Sequence, residues 1–280
     1  MTATTFEIET LGNVAHLRLN RPDAYNSMTR EFWSELPGAV RELDASGSVR
    51  ALVISSTGKH FCAGMDLGVF TGGAPGNEGG STEIGRVRAQ LRETVLALQG
   101  TFTALEEARF PVIAAIQGGC IGGAVDMVSA CDLRYATADA FFCVQEINLG
   151  MTADVGTLQR LPKIIPDGIA REWAYRGHRV PATRAAEVGL VNEVFDTQEA
   201  LLDGVLAIAQ EIAGKSPLAI WGTKEMATYT RDHSVADSLK HMAAWQSGMF
   251  QPADMMETFV AKGEGREPVF DDLLPHGTGL

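Results

Sequence analysis

Polar and apolar residues alternate over the first twenty positions: Phe6 and Ile8 interleave with Glu7 and Glu9, and Ala15, Leu17 and Leu19 with His16 and Arg18. Gly12-Asn13 separates the two runs, so the pattern predicts a hairpin of two strands. The period then lengthens. Between Thr29 and Leu43, the residues Phe32, Leu36, Val40 and Leu43 recur at helical spacing. The run Ala51-Leu52-Val53-Ile54-Ser55 predicts a buried strand. A long amphipathic stretch from Ile84 to Ala108, weakened at Gly100, predicts a helix, and the run from Phe110 to Ile116 an inner strand. Beyond residue 200 the strand signals vanish, and Leu201 to Ala213, Leu218 to Thr228 and Val235 to Ser247 read as helices. The expected fold class is α/β, with a core over 1–200 that carries the site and a helical region over 201–280.

Composition narrows the function classes. With 280 residues and 45% hydrophobic content the chain can bury a sizeable core. A formal net charge of -12 without a basic stripe excludes a nucleic-acid binder, because nothing would displace counterions from phosphates. Cys62, Cys120, Cys131 and Cys143 show no C-x-x-C spacing and no neighbouring His cluster, so they are expected as core residues of a reducing compartment, with no metal site. Residues Met1 to Thr5 lack the basic and apolar parts of a secretory signal, and no apolar stretch is long enough to cross a bilayer. A cytoplasmic location and no membrane insertion are therefore expected. The Gly-rich stretch from Thr71 to Thr82 is expected as a flexible loop beside the ligand pocket, and it is no phosphate-binding motif.

Candidate chemistry gathers in the apolar, Gly-rich third of the chain. Asp126 lies in Gly122-Gly123-Ala124-Val125-Asp126-Met127-Val128, Glu146 follows the strand-like run from Ala140 to Val144, and Asp154 precedes Val155-Gly156-Thr157-Leu158. A carboxylate among apolar residues is costly without partners or a task. Each has an ordinary alternative: Asp126 hydrogen-bonded to a neighbouring turn, Glu146 an exposed strand end, Asp154 a helix cap. The glycines Gly118, Gly119, Gly122 and Gly123 follow an inner strand and open a helix, so the Gly123 NH is a candidate anion donor. The turn Ala63-Gly64-Met65-Asp66 ends a strand of the same kind, and its Met65 NH is the candidate second donor. His60, Cys62 and Ser129 have no activating partner in the pattern and are expected to be structural.

Leu19-Asn20-Arg21-Pro22, Phe61-Cys62-Ala63-Gly64-Met65-Asp66-Leu67 and Gly118-Gly119-Cys120-Ile121-Gly122-Gly123 together resemble the crotonase, or enoyl-CoA hydratase/isomerase, superfamily over about residues 5 to 270. The resemblance implies a spiral of ββα units with a helical C-terminal oligomerisation part, an acyl-CoA thioester as ligand, no separate cofactor, and a homotrimer or homohexamer. It also implies substrate contacts from Ala63, Gly64, Asp66 and Gly122, and an oxyanion hole from Met65 and Gly123. Within the superfamily, Asp126, Glu146 and Asp154 resemble the three acids of the dienoyl-CoA isomerases, whereas hydratases place a glutamate where Asp126 stands. That likeness implies an enzyme moving the double bonds of a 3,5-dienoyl thioester to the 2,4 positions. Glu146 would then take the C2 proton as a carboxylate of lower pKa, Asp154 would deliver one to C6 as a neutral acid of raised pKa, and Asp126 would tune both. Competing readings are a 2-enoyl-CoA hydratase or other lyase, and a non-catalytic acyl-CoA-binding subunit. The chain departs from many relatives at neutral Ala24 and Tyr25, where a basic residue often meets the nucleotide, leaving Lys262 and Arg266 as candidate phosphate contacts.

Overall fold

A computed structural model describes residues 3–66, 68–71, 83–250 and 252–277. The N-terminal alternation forms β1 (Phe6–Leu11) and β2 (Val14–Leu19), an antiparallel pair closed at Leu11 and Val14 around Gly12. Helix α1 (Phe32–Ser46) buries Phe32, Leu36 and Val40, three of the four residues that the helical spacing marks, and leaves Leu43 half-buried. It leads to β3 (Ala51–Ser56), the short helix α2 (Gly68–Thr71), and α3 (Ile84–Glu107), which runs through Gly100 without a break. The Glu83 carboxylate caps α3 by accepting from the NH groups of Gly85 and Arg86. Apart from Thr71, the expected flexible loop lies outside the described residues.

Next come β4 (Val112–Ile116), β5 (Gly119–Ile121), α4 (Gly123–Ser129), β6 (Leu133–Thr137) and β7 (Phe141–Cys143). They are followed by α5 (Thr157–Ile164), α6 (Asp167–Arg176), β8 (Val180–Pro181), α7 (Ala182–Glu187) and β9 (Glu193–Phe195). Four helices close the chain: α8 (Gln198–Ala213), α9 (Pro217–Asp232), α10 (Val235–Met249) and α11 (Pro252–Glu264).

The main sheet has the order β1-β2-β3-β4-β6-β9, parallel from β2 onward, and a smaller sheet has the order β5-β7-β8. Both faces of the inner strands are covered, which is why β3 and β4 read as unbroken apolar runs. On one face Leu52, Ile54, Val112, Ala114 and Ile116 join the main core with α1, the C-terminal half of α3 and α4. On the other, Ala51, Val53, Ile113 and Ala115 pack with Leu201, Val205 and Ala209 of α8. Thus α8 is a layer of the sheet unit although most of it lies beyond residue 200. The site arises where β5, in the segment that leaves β4, is bridged at Cys120 to Cys62 in the turn that leaves β3. This is the α/β spiral with a helical C-terminal region that the sequence leads one to expect. Among the described residues no helix is long and apolar enough to cross a membrane.

Candidate active site

The floor of the site is made of two backbone turns. Cys62 and Cys120 form a parallel bridge, in which Cys62 NH donates to the Gly119 carbonyl and Ile121 NH to the Cys62 carbonyl. Met28 bridges to Met65 through Met28 NH to the Gly64 carbonyl, 2.8 Å, and Asp66 NH to the Met28 carbonyl, 2.9 Å. That pattern turns the Met65 NH away from Met28. Gly123 is the first residue of α4, so its NH has no acceptor within the helix. A Cβ built on Gly123 would stand 3.8 Å from the Met65 nitrogen, so the two donors are neighbours. Neither meets an acceptor among the described residues. A pair of orphan NH groups at such spacing is suited to one oxyanion.

Glycine is required to bring these turns together. Gly64 has φ +82°, and a Cβ there would lie 2.6 Å from the Ile121 carbonyl oxygen and 3.1 Å from the Gly123 nitrogen. Gly122 has φ +57°, and its absent Cβ leaves room for the Glu146 carboxylate, whose Oε1 is 3.3 Å from that point. Glu146 therefore faces the glycine turn directly.

The three acids differ in surroundings. Asp126, in the first turn of α4, is 1% exposed, and its Oδ1 accepts from the Thr157 NH at 2.6 Å. Burial pushes its carboxyl up to about 6; the Thr157 bond opposes the shift and the Asp154 charge adds to it. Glu146 opens a short 3-10 turn, Glu146–Leu149, and its buried Oε2 has no hydrogen-bond partner. Burial, followed by the charge of Asp126, pushes Glu146 up to about 7. Asp154 stands at the rim. The residue as a whole is exposed, and partial desolvation of its carboxyl raises its pKa. Because each of Asp126 and Glu146 feels Asp154, the three form one electrostatic group.

Two expectations change here. The expected contrast, Asp154 raised and Glu146 lower, is not what stands here: Glu146 is itself raised to about 7, since its orphan oxygen is dehydrated and beside another acid. Asp154 does not cap α5 either: Gly156 is the cap residue without a side-chain bond, and Asp126 takes the first helical NH. The sequence carries no signal that Thr157 would meet Asp126, 31 residues away.

The remaining candidates divide into backbone and side-chain roles. Ala63 NH donates to the Tyr25 carbonyl, so Ala63 belongs to the turn itself. The Asp66 carboxylate is occupied by Ser27 Oγ, 2.8 Å, Gly68 NH, 2.9 Å, and Arg21, which hold its pKa down. It clamps the turn to the segment after β2. His60 Nδ1 accepts from Gly119 NH, Ser129 Oγ donates to the Asp126 carbonyl, and burial pushes the Cys62 thiol up to about 12. His60 and Ser129 thus hold backbone, and a thiol so raised is a poor nucleophile. Arg266, a candidate phosphate contact, is paired with Glu257 and Glu264, which leaves Lys262 the stronger candidate. Among the described residues no cluster of His, Cys, Asp and Glu is arranged to hold a metal ion. A cavity of about 240 Å³ between α3 and α9, bordered by Glu106, Trp221, Lys224 and Arg231, contains none of the three acids.

Comparison with known proteins places this geometry in a family. The enoyl-CoA hydratase/isomerase family model matches residues 9–273. A human protein named mitochondrial Delta(3,5)-Delta(2,4)-dienoyl-CoA isomerase is 43% identical over 256 residues, 91% of this chain and 77% of its own length. An Arabidopsis thaliana protein named as the peroxisomal form is 41% identical over 261 residues, 93% of this chain and 94% of its own. Among solved structures, an enoyl-CoA hydratase from Bacillus anthracis superposes with a TM-score of 0.84 at 29% identity, over 95% of this chain and 99% of that one. These names correct the expectation of a cytoplasmic location, because the similar human and plant proteins are mitochondrial and peroxisomal. The reason is physical: an organelle address is read by a receptor from a short segment, and neither fold nor composition encodes it. With a match that spans both glycine turns and all three acids, the chain belongs to the enoyl-CoA hydratase/isomerase family.

Proposed function

We propose that this protein is an isomerase that converts a 3,5-dienoyl-CoA into the conjugated 2,4-dienoyl-CoA. The observation that carries the reading is the grouping of Asp126, Glu146 and Asp154 beside the orphan NH groups of Met65 and Gly123. Relatives bearing that activity in their names, at 41–43% identity, support it. The thioester carbonyl sits on the Met65 and Gly123 donors, each stabilising the developing oxyanion by about 3 kcal/mol. Glu146, beside Gly122, removes the C2 proton, and the electron pair spreads over the carbonyl and the two double bonds. The neutral carboxyl of Asp154 protonates C6, the carbonyl re-forms, and the double bonds settle at C2 and C4. Protons and electrons balance once Glu146 returns its proton and Asp154 regains one through solvent.

A pKa of about 7 suits this base. At neutral pH a useful fraction of Glu146 is ionised, and that fraction is a stronger base than an ordinary carboxylate. Asp154 is only partly dehydrated in the free protein, and an acyl chain laid across it would raise its proton affinity further. Asp126 is the tuner, its charge lifting Glu146. The reaction needs proton transfer alone, with coenzyme A as part of the substrate. The same reading extends to assembly: Val235 and Leu239 of α10 and Phe259 of α11 are 72%, 65% and 61% exposed, apolar surface that a trimer or hexamer of this chain would cover.

The test is the ultraviolet spectrum of the protein mixed with a 3,5-dienoyl-CoA, with a 2-enoyl-CoA in parallel. Growth of the conjugated-dienoyl absorbance with the diene alone is expected. Turnover of the 2-enoyl thioester alone would replace the isomerase by a hydratase, and inactivity on both with retained acyl-CoA binding would favour a binding subunit.

A further inference from the structure

The loop that presents Asp154 is held by a buried ion cluster. Gly156, with φ +136°, lies between Asp154 and the start of α5, and a Cβ there would stand 1.9 Å from Arg160 Nη1. The Arg160 side chain therefore folds back over the first turn of its own helix. Its Nε donates to Glu106 Oε2 at 2.8 Å, and its Nη2 reaches the same oxygen and Thr103 Oγ1, both on α3. The other Glu106 oxygen accepts from Arg231, near the end of α9. The cluster is largely buried: the side chains of Arg160 and Glu106 are 11% and 13% exposed. A second tie runs parallel to it, since Lys163 of α5 donates to the Arg231 carbonyl and lies 3.6 Å from Asp232. Gln99 of α3 meanwhile donates to the Asp154 carbonyl at 2.8 Å.

We propose that Arg160 is a positioning residue for the acid pair Asp126 and Asp154, and that Glu106 and Arg231 hold it in place, so that helices α3 and α9 set the acid geometry. This deepens the isomerase reading and, for its effect on turnover, rests on it. The physical argument has two parts. A guanidinium filling the Gly156 notch fixes where Asp154 leaves the chain and where the Thr157 NH meets Asp126, and a planar fork shared with a carboxylate is a stiffer support than a lone ammonium. The same positive charge favours the ionised form of Asp126, opposing its burial. A cluster that served stability alone would not need to reach Val155 and Gly156, the two residues that join Asp154 to Thr157. Other groups acting on Asp126 are Asp154 and Thr157 on one side and, through Glu146, the 3-10 turn on the other.

The experiment compares the parent with Arg160→Gln and Arg160→Lys in two readouts. Carbon-13 carboxyl NMR of the free protein follows the titration of Asp126, and steady-state kinetics with a 3,5-dienoyl-CoA separates kcat from KM. With Arg160→Gln, Asp126 is expected to titrate at higher pH, and kcat to fall about tenfold or more with KM within about threefold, the pattern of lost positioning. Arg160→Lys keeps the charge and loses the fork, so the Asp126 titration is expected to return while kcat recovers only in part. An unchanged titration and kcat in Arg160→Gln would overturn the proposal, as would a loss of kcat that merely follows a loss of folded protein while Asp126 titrates as before. Should Arg160→Gln not fold, Arg231→Gln removes only the far side of Glu106; smaller shifts in the same direction are expected, and none at all would sink the link to α9. If the parent itself does not isomerise the diene, the functional reading fails, yet the Asp126 titration still decides whether Arg160 acts on it.

Discussion

The floor and the rim of the site are built by different means. The floor, Cys62 to Met65 and Gly118 to Gly123, is held mainly by backbone: parallel bridges and glycines at positive φ, mostly buried. The rim, Glu146 to Thr157, is short irregular chain held by side chains from α3, α4 and α5. The floor can present two NH dipoles with little tolerance for change, because a carbon added at Gly64 or Gly118 strikes a carbonyl oxygen. The rim sets proton affinities, and these respond by degrees to each surrounding charge and to each contact that excludes water. One region supplies a fixed geometry and the other a tunable chemistry.

Substitutions can separate the two regions. The largest effect is expected at the proton-transfer groups: Glu146→Gln and Asp154→Asn should each lower kcat/KM for the dienoyl thioester by about 10²–10⁴ with binding of an acyl-CoA retained in calorimetry. Ordinary activity in either variant would remove that acid from the mechanism. Next is the floor. Gly64→Ala places a Cβ 2.6 Å from the Ile121 carbonyl and should cost about 10²–10³ in kcat by spreading the NH pair, with lost protection of the Met28 and Ile121 amides in hydrogen exchange as the structural check. Asp126→Asn keeps an oxygen for the Thr157 NH but removes the charge that lifts Glu146, so a loss of about tenfold and a Glu146 titration moved down are expected. A loss as large as that of Glu146→Gln would make Asp126 a direct participant in proton transfer.

The rim also predicts a stability signature. Glu146 is raised from an ordinary value of 4.5 to about 7, so the folded state binds the extra proton between those limits. Stability is then undiminished below about 4.5 and declines as pH rises through about 7. Glu146→Gln lacks this penalty and should gain on the parent by about 1–3 kcal/mol between pH 4.5 and 8 in urea unfolding, whatever its effect on turnover. A constant difference across that range would mean that the carboxyl is hydrated in the folded state. The smallest change is expected at Gly100→Ala: at a helical site with open space around the missing Cβ, it should stabilise by about 0.5–1 kcal/mol and leave kcat alone.

Much of the floor was legible in the chain. Strand-like runs ending in Ala63-Gly64-Met65 and in Gly118 to Gly123 announce tight turns, since glycine is the residue that accepts those backbone angles. The three acids were conspicuous by their apolar neighbours, and His60 and Ser129 are engaged in hydrogen bonds with the backbone. The rim was much less legible. That Asp126 takes the first NH of α5, that Glu146 carries an oxygen with no partner, and that Arg160 lies in the Gly156 notch are meetings of residues remote in sequence. Arg266 looked available to a phosphate until the fold gave it two glutamates, and α8 looked like part of the helical tail until its apolar face met the sheet.

The sequence by itself determined the hairpin, the buried strands, the helical C-terminal region, the glycine turns and the identity of the three acids, because period, chain sterics and residue type act over a few neighbouring positions. The tertiary structure decided which acid is dry, which is capped and which is open to solvent. A proton affinity is set by everything packed around a carboxyl, and for Asp126, Glu146 and Asp154 the groups that matter come from α3, α4 and α5 and the turns between them.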